Sequence, residues 1–249
     1  MIAHTCAHTL PLVMPATRAL CIGNGPSLRL YSDDEWQVMR EQYDFVFAVN
    51  RFYIKPPPIT PDFLVAIDWG VFRDHVDDMD ELVWGRWPNC TIVCTATMLD
   101  LLGWDWVYEH GHQVCVMYLD LSDKAYGKFG SRWPCWDDPF MEAPNPRNVM
   151  LCAVPLAIDL GCAEVDVIGC DMTNHNVHFY DTASDLQANV FADNTEEHGK
   201  PLSWARDLEI EVQENWRLVK GYADERGCTL RNLTRGGNRI LALGGSVDG

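Results

Sequence analysis

Four polar side chains stand at the ends of four short apolar runs. Asn24 follows RALCIG (18–23), Asn50 ends DFVFAVN (44–50), Asp68 ends DFLVAID (62–68) and Asp171 ends EVDVIGCD (164–171). Amides grip hydroxyls and bases through hydrogen bonds; carboxylates do the same or hold a divalent cation. Asn and Asp are also favoured in turns and at helix starts, so each one singly has a purely structural account. Four of them, beside a glycine-rich loop, point to a site.

That loop lies in CIGNGPSLRLY (21–31). A strand that runs into a glycine turn and then a helix start commonly binds an anion, because backbone N–H groups point outward there. Gly23 and Gly25 allow a ligand to approach the backbone, Pro26 suits the first position of a helix, and Ser27 lies in the same loop. Leu28 stands where a dinucleotide fingerprint needs its third glycine, and no Gly-Lys-Ser/Thr ending follows. A plain NAD or ATP site is therefore not indicated.

Other groups carry weaker signals. His175 and His178, with Asp181 beyond, could ligate a metal, but two close ligands on a loop fit the polar lining of a pocket better. Asp78 and Asp80 form a D-x-D within RDHVDDMDELVW, which reads as the solvated face of a helix. Tyr126, Phe129, Trp133, Trp136 and Phe140 could form a stacking platform for a sugar or simply anchor their own loop.

The elements that position these residues follow from periodicity. Apolar runs at 18–23, 44–50, 62–68, 90–95, 113–119 and 164–171 read as buried strands. Helices are expected over 32–42, 72–84, 147–160 and 203–226. In the last, Trp204, Leu208, Val212, Trp216, Val219 and Ala223 form one stripe, and Gly227 closes it. Strands alternating with helices predict an α/β fold, a mostly parallel sheet with helices on both faces. Ligands then bind outside the carboxyl ends of the strands, where the four polar residues stand. Residues 120–146 and 172–202 lack periodicity and read as lid or binding loops of a single domain spanning 1–249.

Bulk composition narrows the partners. The formal net charge of −17 argues against a nucleic-acid ligand, whose phosphates need clustered Lys and Arg. A small anionic substrate needs only a local site. Ten cysteines are scattered singly, mostly within apolar runs, as reduced core cysteines of a cytoplasmic protein are. Neither Cys90 with Cys94 nor His4, Cys6 and His8 completes a four-ligand metal set by spacing. The N-terminal stretch lacks a basic region and is broken by two prolines, unlike a signal peptide, and no window is apolar for the length of a membrane span.

CIGNGPSL, then FVFAVNRFY, FLVAID and VMLCAVPLAIDLGCAEVDVIGCDMT resemble, in that order over residues 18 to 235, the bacterial CMP-sialic-acid-dependent sialyltransferases. These have a GT-A-variant, Rossmann-like fold. The same segments resemble their motility accessory and hydroxymethylpterin diphosphokinase-like relatives. The resemblance implies a glycosyltransferase that moves a sugar from a CMP-activated donor to a glycan acceptor with inversion, with no required cofactor. It implies that Asn24 and Asn50 hold the cytidine nucleotide beside Gly23, Gly25 and Ser27, with Asp68, Arg147, Asn148, Asp171 and Thr173 around it. His198, just before the last long helix, takes the place of the family's general base. Tyr180 stands for one of the two tyrosines that support the leaving phosphate, and His178 for a sugar contact. Asp68 replaces the sialyltransferases' asparagine, which brings in the relatives: Asp68 and Asp171 could hold Mg²⁺ against a nucleoside diphosphate or triphosphate. A non-catalytic nucleotide-binding module is a third reading. Oligomeric state is not fixed by any of these features.

Overall fold

A computed structural model describes residues 17–66, 80–95, 114–120, 141–144, 148–172, 202–236 and 239–245. Eight strands form one sheet: β1 (Arg18–Ile22), β2 (Phe45–Val49), β3 (Phe63–Ala66), β4 (Thr91–Thr95), β5 (Val114–Asp120), β6 (Met141–Pro144), β7 (Glu164–Ile168) and β8 (Thr229–Asn232). Their order is β6-β5-β4-β3-β2-β1-β7-β8, and every neighbouring pair is parallel. Cys21 pairs with Phe47 on one side and Val167 on the other, so the glycine loop leaves the sheet from an interior strand.

Alternation along the strands builds two cores, as a period of two requires. Ala19, Cys21, Phe47, Val49, Phe63 and Val65 face helices α2 (Met150–Asp159) and α3 (Leu202–Glu225). Leu20, Ile22, Val46, Ala48, Leu64 and Ala66 face the opposite way, onto Trp36 of α1 (Asp33–Gln42) and onto Phe52, Tyr53 and Trp87. Helices therefore cover both faces, as the sequence predicts.

Helix α1 begins with a capping box: Ser32 Oγ accepts the Glu35 N–H at 3.4 Å, and Glu35 returns the bond to the Ser32 N–H at 2.8 Å. Helix α2 is buried from Met150 through Ile158, apolar on all sides, because it lies between the sheet and α3. In α3 the predicted stripe is buried at Val212, Trp216, Val219 and Ala223, and Gly227 follows it at φ 67°.

Two expectations need revision. Within 120–146, read as irregular, Met141–Pro144 is a strand whose Met141 pairs with Met117 of β5. Strand β8 escapes the apolar-run criterion because only Leu230 of its four residues is buried. Of the helix expected over 72–84, the described part is a single π-helical turn, Asp80–Trp84. Among the described residues no helix is long and apolar enough to cross a membrane. Cys21, Cys90, Cys94, Cys152, Cys162, Cys170 and Cys228 are free and buried.

Candidate functional site

Chain direction parts between β1 and β7. From β1 the chain crosses through α1 to β2, whereas from β7 it crosses through α3 to β8 on the other side. A crevice at such a point is where open α/β sheets bind ligands. Here the two loops close over it. The Gly23 N–H donates to the Ile168 carbonyl and the Gly25 N–H to the Gly169 carbonyl, both at 2.8 Å, extending the parallel pairing past the strands. A Cβ at Gly23 would lie 2.3 Å from the Gly169 oxygen, and one at Gly25 would lie 1.7 Å from Asp171 Oδ2. These glycines permit contact between two chain segments as much as approach by a ligand.

The anion cradle expected of this loop is not what it forms. The Ser27 N–H donates to Asp171 Oδ1 at 3.2 Å, the Ser27 hydroxyl to Asp171 Oδ2 at 2.8 Å, and the Leu28 N–H to the Gly25 carbonyl at 3.2 Å. With Gly23 and Gly25, four backbone donors of the loop are spent inside the chain. Asp171, from the chain's own β7 loop, occupies the start of the 3-10 turn Pro26–Leu30, where a bound anion was expected.

Two side-chain oxygens beside the loop are left without partners. Asn24 Nδ2 donates to the Val49 carbonyl at 3.0 Å, which turns Oδ1 the other way, buried and without a hydrogen-bond partner. Asn50 Oδ1 is likewise buried and unpaired. Each such oxygen costs about 1–3 kcal/mol of lost solvation unless a donor arrives. With Asn24's amide orientation set by Val49, the group it seeks carries an O–H or N–H; a phosphate oxygen supplies none. Asn50 holds φ 45° and Met172 holds φ 55°, the only non-glycine residues at positive φ among those described. Both stand just beyond strand ends on this edge, and strained backbone of this kind clusters at ligand sites.

Burial raises the Asp171 carboxyl pKa, while its two bonds from Ser27 act in the opposite direction. Each of its oxygens already accepts from Ser27, so as placed the carboxylate fits a turn cap better than a cation ligand. Among the described residues no group of three or more His, Cys, Asp or Glu side chains could hold a metal ion. Asn148 Oδ1 accepts the Met150 N–H at 2.9 Å, fixing the start of α2. Thr234, which no sequence signal singles out, accepts the Cys170 N–H at 3.1 Å and so ties the β7 loop to the chain beyond β8. Asp68, Arg147, Thr173, His178, Tyr180 and His198 lie outside the described residues, as do His175, Asp181 and the aromatic stretch 126–140.

A parallel α/β sheet with polar side chains gathered at the carboxyl ends of its central strands is the class this chain belongs to. Its architecture is that of solved sialyltransferases. The monofunctional α-2,3-sialyltransferase Cst-I from Campylobacter jejuni matches at a TM-score of 0.50 and 16% identity, over 90% of this chain and 78% of that one. The sialyltransferase CstII from Campylobacter jejuni, in complex with the substrate analogue CMP-3FNeuAc, matches at a TM-score of 0.51 and 14% identity, over 91% and 85%. No protein-family model matches the chain, and no curated protein matches it by sequence.

Proposed function

We propose that this protein is a glycosyltransferase, sialyltransferase-like, that transfers a sugar from a CMP-activated donor to a glycan acceptor with inversion. The observation that carries the reading is the pair of buried, unpaired amide oxygens of Asn24 and Asn50 at adjoining strand ends. A cytidine nucleotide presents both kinds of donor such oxygens need, ribose hydroxyls and an exocyclic amine. The fold shared with CstII, which was captured with a CMP-sugar analogue, supports the choice of nucleotide.

His198 is the proposed base. It takes the proton of an acceptor hydroxyl as that oxygen bonds to the anomeric carbon. The bond from that carbon to the phosphate oxygen breaks with its electron pair, and CMP departs from the opposite face. Tyr180 and Thr173 donate to the departing phosphate, and His178 contacts the sugar. A histidine suits the base because its ordinary pKa lies near neutral pH. The Mg²⁺-dependent diphosphokinase-like alternative requires Asp171 to exchange Ser27 for a cation.

A thermal-shift panel of CMP, CDP, UDP, GDP and ATP, each in EDTA and in Mg²⁺, tests the nucleotide. A ligand that binds only the folded state raises the melting temperature. CMP is expected to stabilise in both conditions; stabilisation only by a diphosphate or ATP with Mg²⁺ would transfer the reading to the alternative. With a CMP-sugar in hand, His198→Ala is expected to lower turnover by about 10²-fold or more while leaving CMP affinity nearly unchanged. Unchanged turnover removes His198 from the mechanism.

A further inference from the structure

The 3-10 turn Pro26–Leu30 is held at both ends by loops from the other side of the switch point. At its start Asp171, beyond β7, accepts the N–H and the hydroxyl of Ser27 at 3.2 and 2.8 Å. At its end Arg235, beyond β8, donates to the Leu30 carbonyl at 2.6 Å, pairs with Glu35 and lies 4.1 Å from the Tyr31 ring centroid. Ser27 is 4% exposed, so its two bonds to Asp171 are shielded from water and costly to lose. Asn24 lies three residues before Ser27 in the same loop, with only glycine and proline between them. A Cβ at Gly25 would strike Asp171 Oδ2, so the carboxylate touches the loop on the Gly25 side as well as at Ser27.

We propose that Asp171 is a positioning residue: by gripping Ser27 through both carboxylate oxygens, it fixes the loop that aims the Asn24 side-chain oxygen at the ligand, and it does so without a metal ion. The proposal rests on the nucleotide reading above for the identity of the ligand, but not for the geometry. Asp171 joins the two halves of the sheet across the point where a ligand crevice would open, so loosening it frees the loop without removing any ligand contact made by Asn24 or Asn50. A preorganised contact loses affinity when its support is removed, although the contacting residue is unchanged.

The test uses the full chain and two readouts. CMP affinity is measured by calorimetry in EDTA and in Mg²⁺ for the wild type, Ser27→Ala, Asp171→Asn, Asp171→Ala and the Ser27→Ala/Asp171→Ala double variant. Amide hydrogen exchange of the same proteins without ligand is followed at residues 23–28, with α2 and α3 as the control for global folding. Asp171→Ala is expected to weaken CMP by about tenfold, in keeping with loss of a supporting shell. Asp171→Asn, which keeps one acceptor oxygen for Ser27, should fall between Asp171→Ala and the wild type. The double variant should bind no more weakly than Asp171→Ala, the non-additivity of two residues acting as one unit. Mg²⁺ should change none of these values, and the 23–28 amides should exchange faster in Asp171→Ala while α2 and α3 stay protected.

Additive losses from Ser27→Ala and Asp171→Ala would overturn the proposal. So would affinity that needs Mg²⁺ and is lost equally in Asp171→Asn and Asp171→Ala, the behaviour of a metal ligand. If CMP does not bind the wild type, the nucleotide reading falls and hydrogen exchange alone decides the role of Asp171. Faster exchange at 23–28 in Asp171→Ala then supports it, and unchanged exchange overturns it.

Discussion

Asn50 holds φ 45° at the end of β2 while its side-chain oxygen is buried and unpaired. An L-residue in that conformation carries a strain of about 1 kcal/mol that glycine does not. Replacing Asn50 by Gly removes the strain and the stranded oxygen together, against some added entropy in the unfolded chain. Asn50→Gly is therefore expected to melt no lower than the wild type without ligand, while its affinity for CMP drops by about tenfold, one hydrogen bond's worth. Thermal unfolding and calorimetry check the two halves; undiminished affinity would take Asn50 out of the site. The placement of Asn24 and Asn50 at one edge was legible from their position behind apolar runs, because a parallel sheet brings the ends of its strands to one edge. What Asn24 faces was not legible. Its orientation depends on the Val49 carbonyl, contributed by a different strand.

At the scale of elements, the buried strands announced themselves wherever both faces of the sheet are covered. Phe45–Val49 and Glu164–Ile168 are almost wholly buried, and such strands read as apolar runs. The edge strand β8 shows one buried residue in four, too little pattern to register. The glycine loop looked like an anion site because its donors are countable in sequence. Most of their acceptors, Ile168, Gly169 and Asp171, come from a strand distant in sequence and the loop after it.

Helix α2 carries a second consequence of burial. Its last residue, Asp159, accepts from Tyr222 Oη of α3 and lies 3.6 Å from Arg226, yet Oδ2 has no partner. Burial, opposed by these two neighbours, raises its pKa from the usual 3.8 to about 6. Between those values the folded chain holds a proton that the unfolded chain has released, so stability falls as pH rises through the window. Above it, the ionised buried carboxylate costs on the order of 3 kcal/mol. Asp159→Asn is expected to abolish this slope between pH 4 and 6 and to add about 1 kcal/mol at neutral pH, less than the full cost because the amide N–H₂ lacks an acceptor there. Urea unfolding at a series of pH values measures both; a wild type whose stability rises across that interval would contradict the assignment.

At the scale of the whole molecule, 36 acidic residues against 19 basic ones set a field that any anionic donor must cross. Some of the groups described at these strand ends add to this: Asp171 stands among them, and the amide oxygens of Asn24 and Asn50 present the negative ends of their dipoles. On the proposed reading, a nucleotide held by hydroxyl and amine contacts gains its affinity at short range while being repelled at long range. The two ranges respond differently to salt, because the screening length is about 30 Å at 0.01 M and about 8 Å at 0.15 M. The association rate of CMP is expected to rise by about two- to fivefold between those ionic strengths, and the dissociation rate, set by buried contacts, to change little. Stopped-flow binding separates them. A rate that falls with salt would mean that local cations outweigh the net charge, with Arg147, three residues before α2 in sequence, the first residue to substitute. That outcome would place the phosphate nearer the start of α2 than to the glycine loop. The sign of a salt dependence thus bears on where the anion sits, which the four internally bonded N–H groups of the loop have already made a question of the rest of the site.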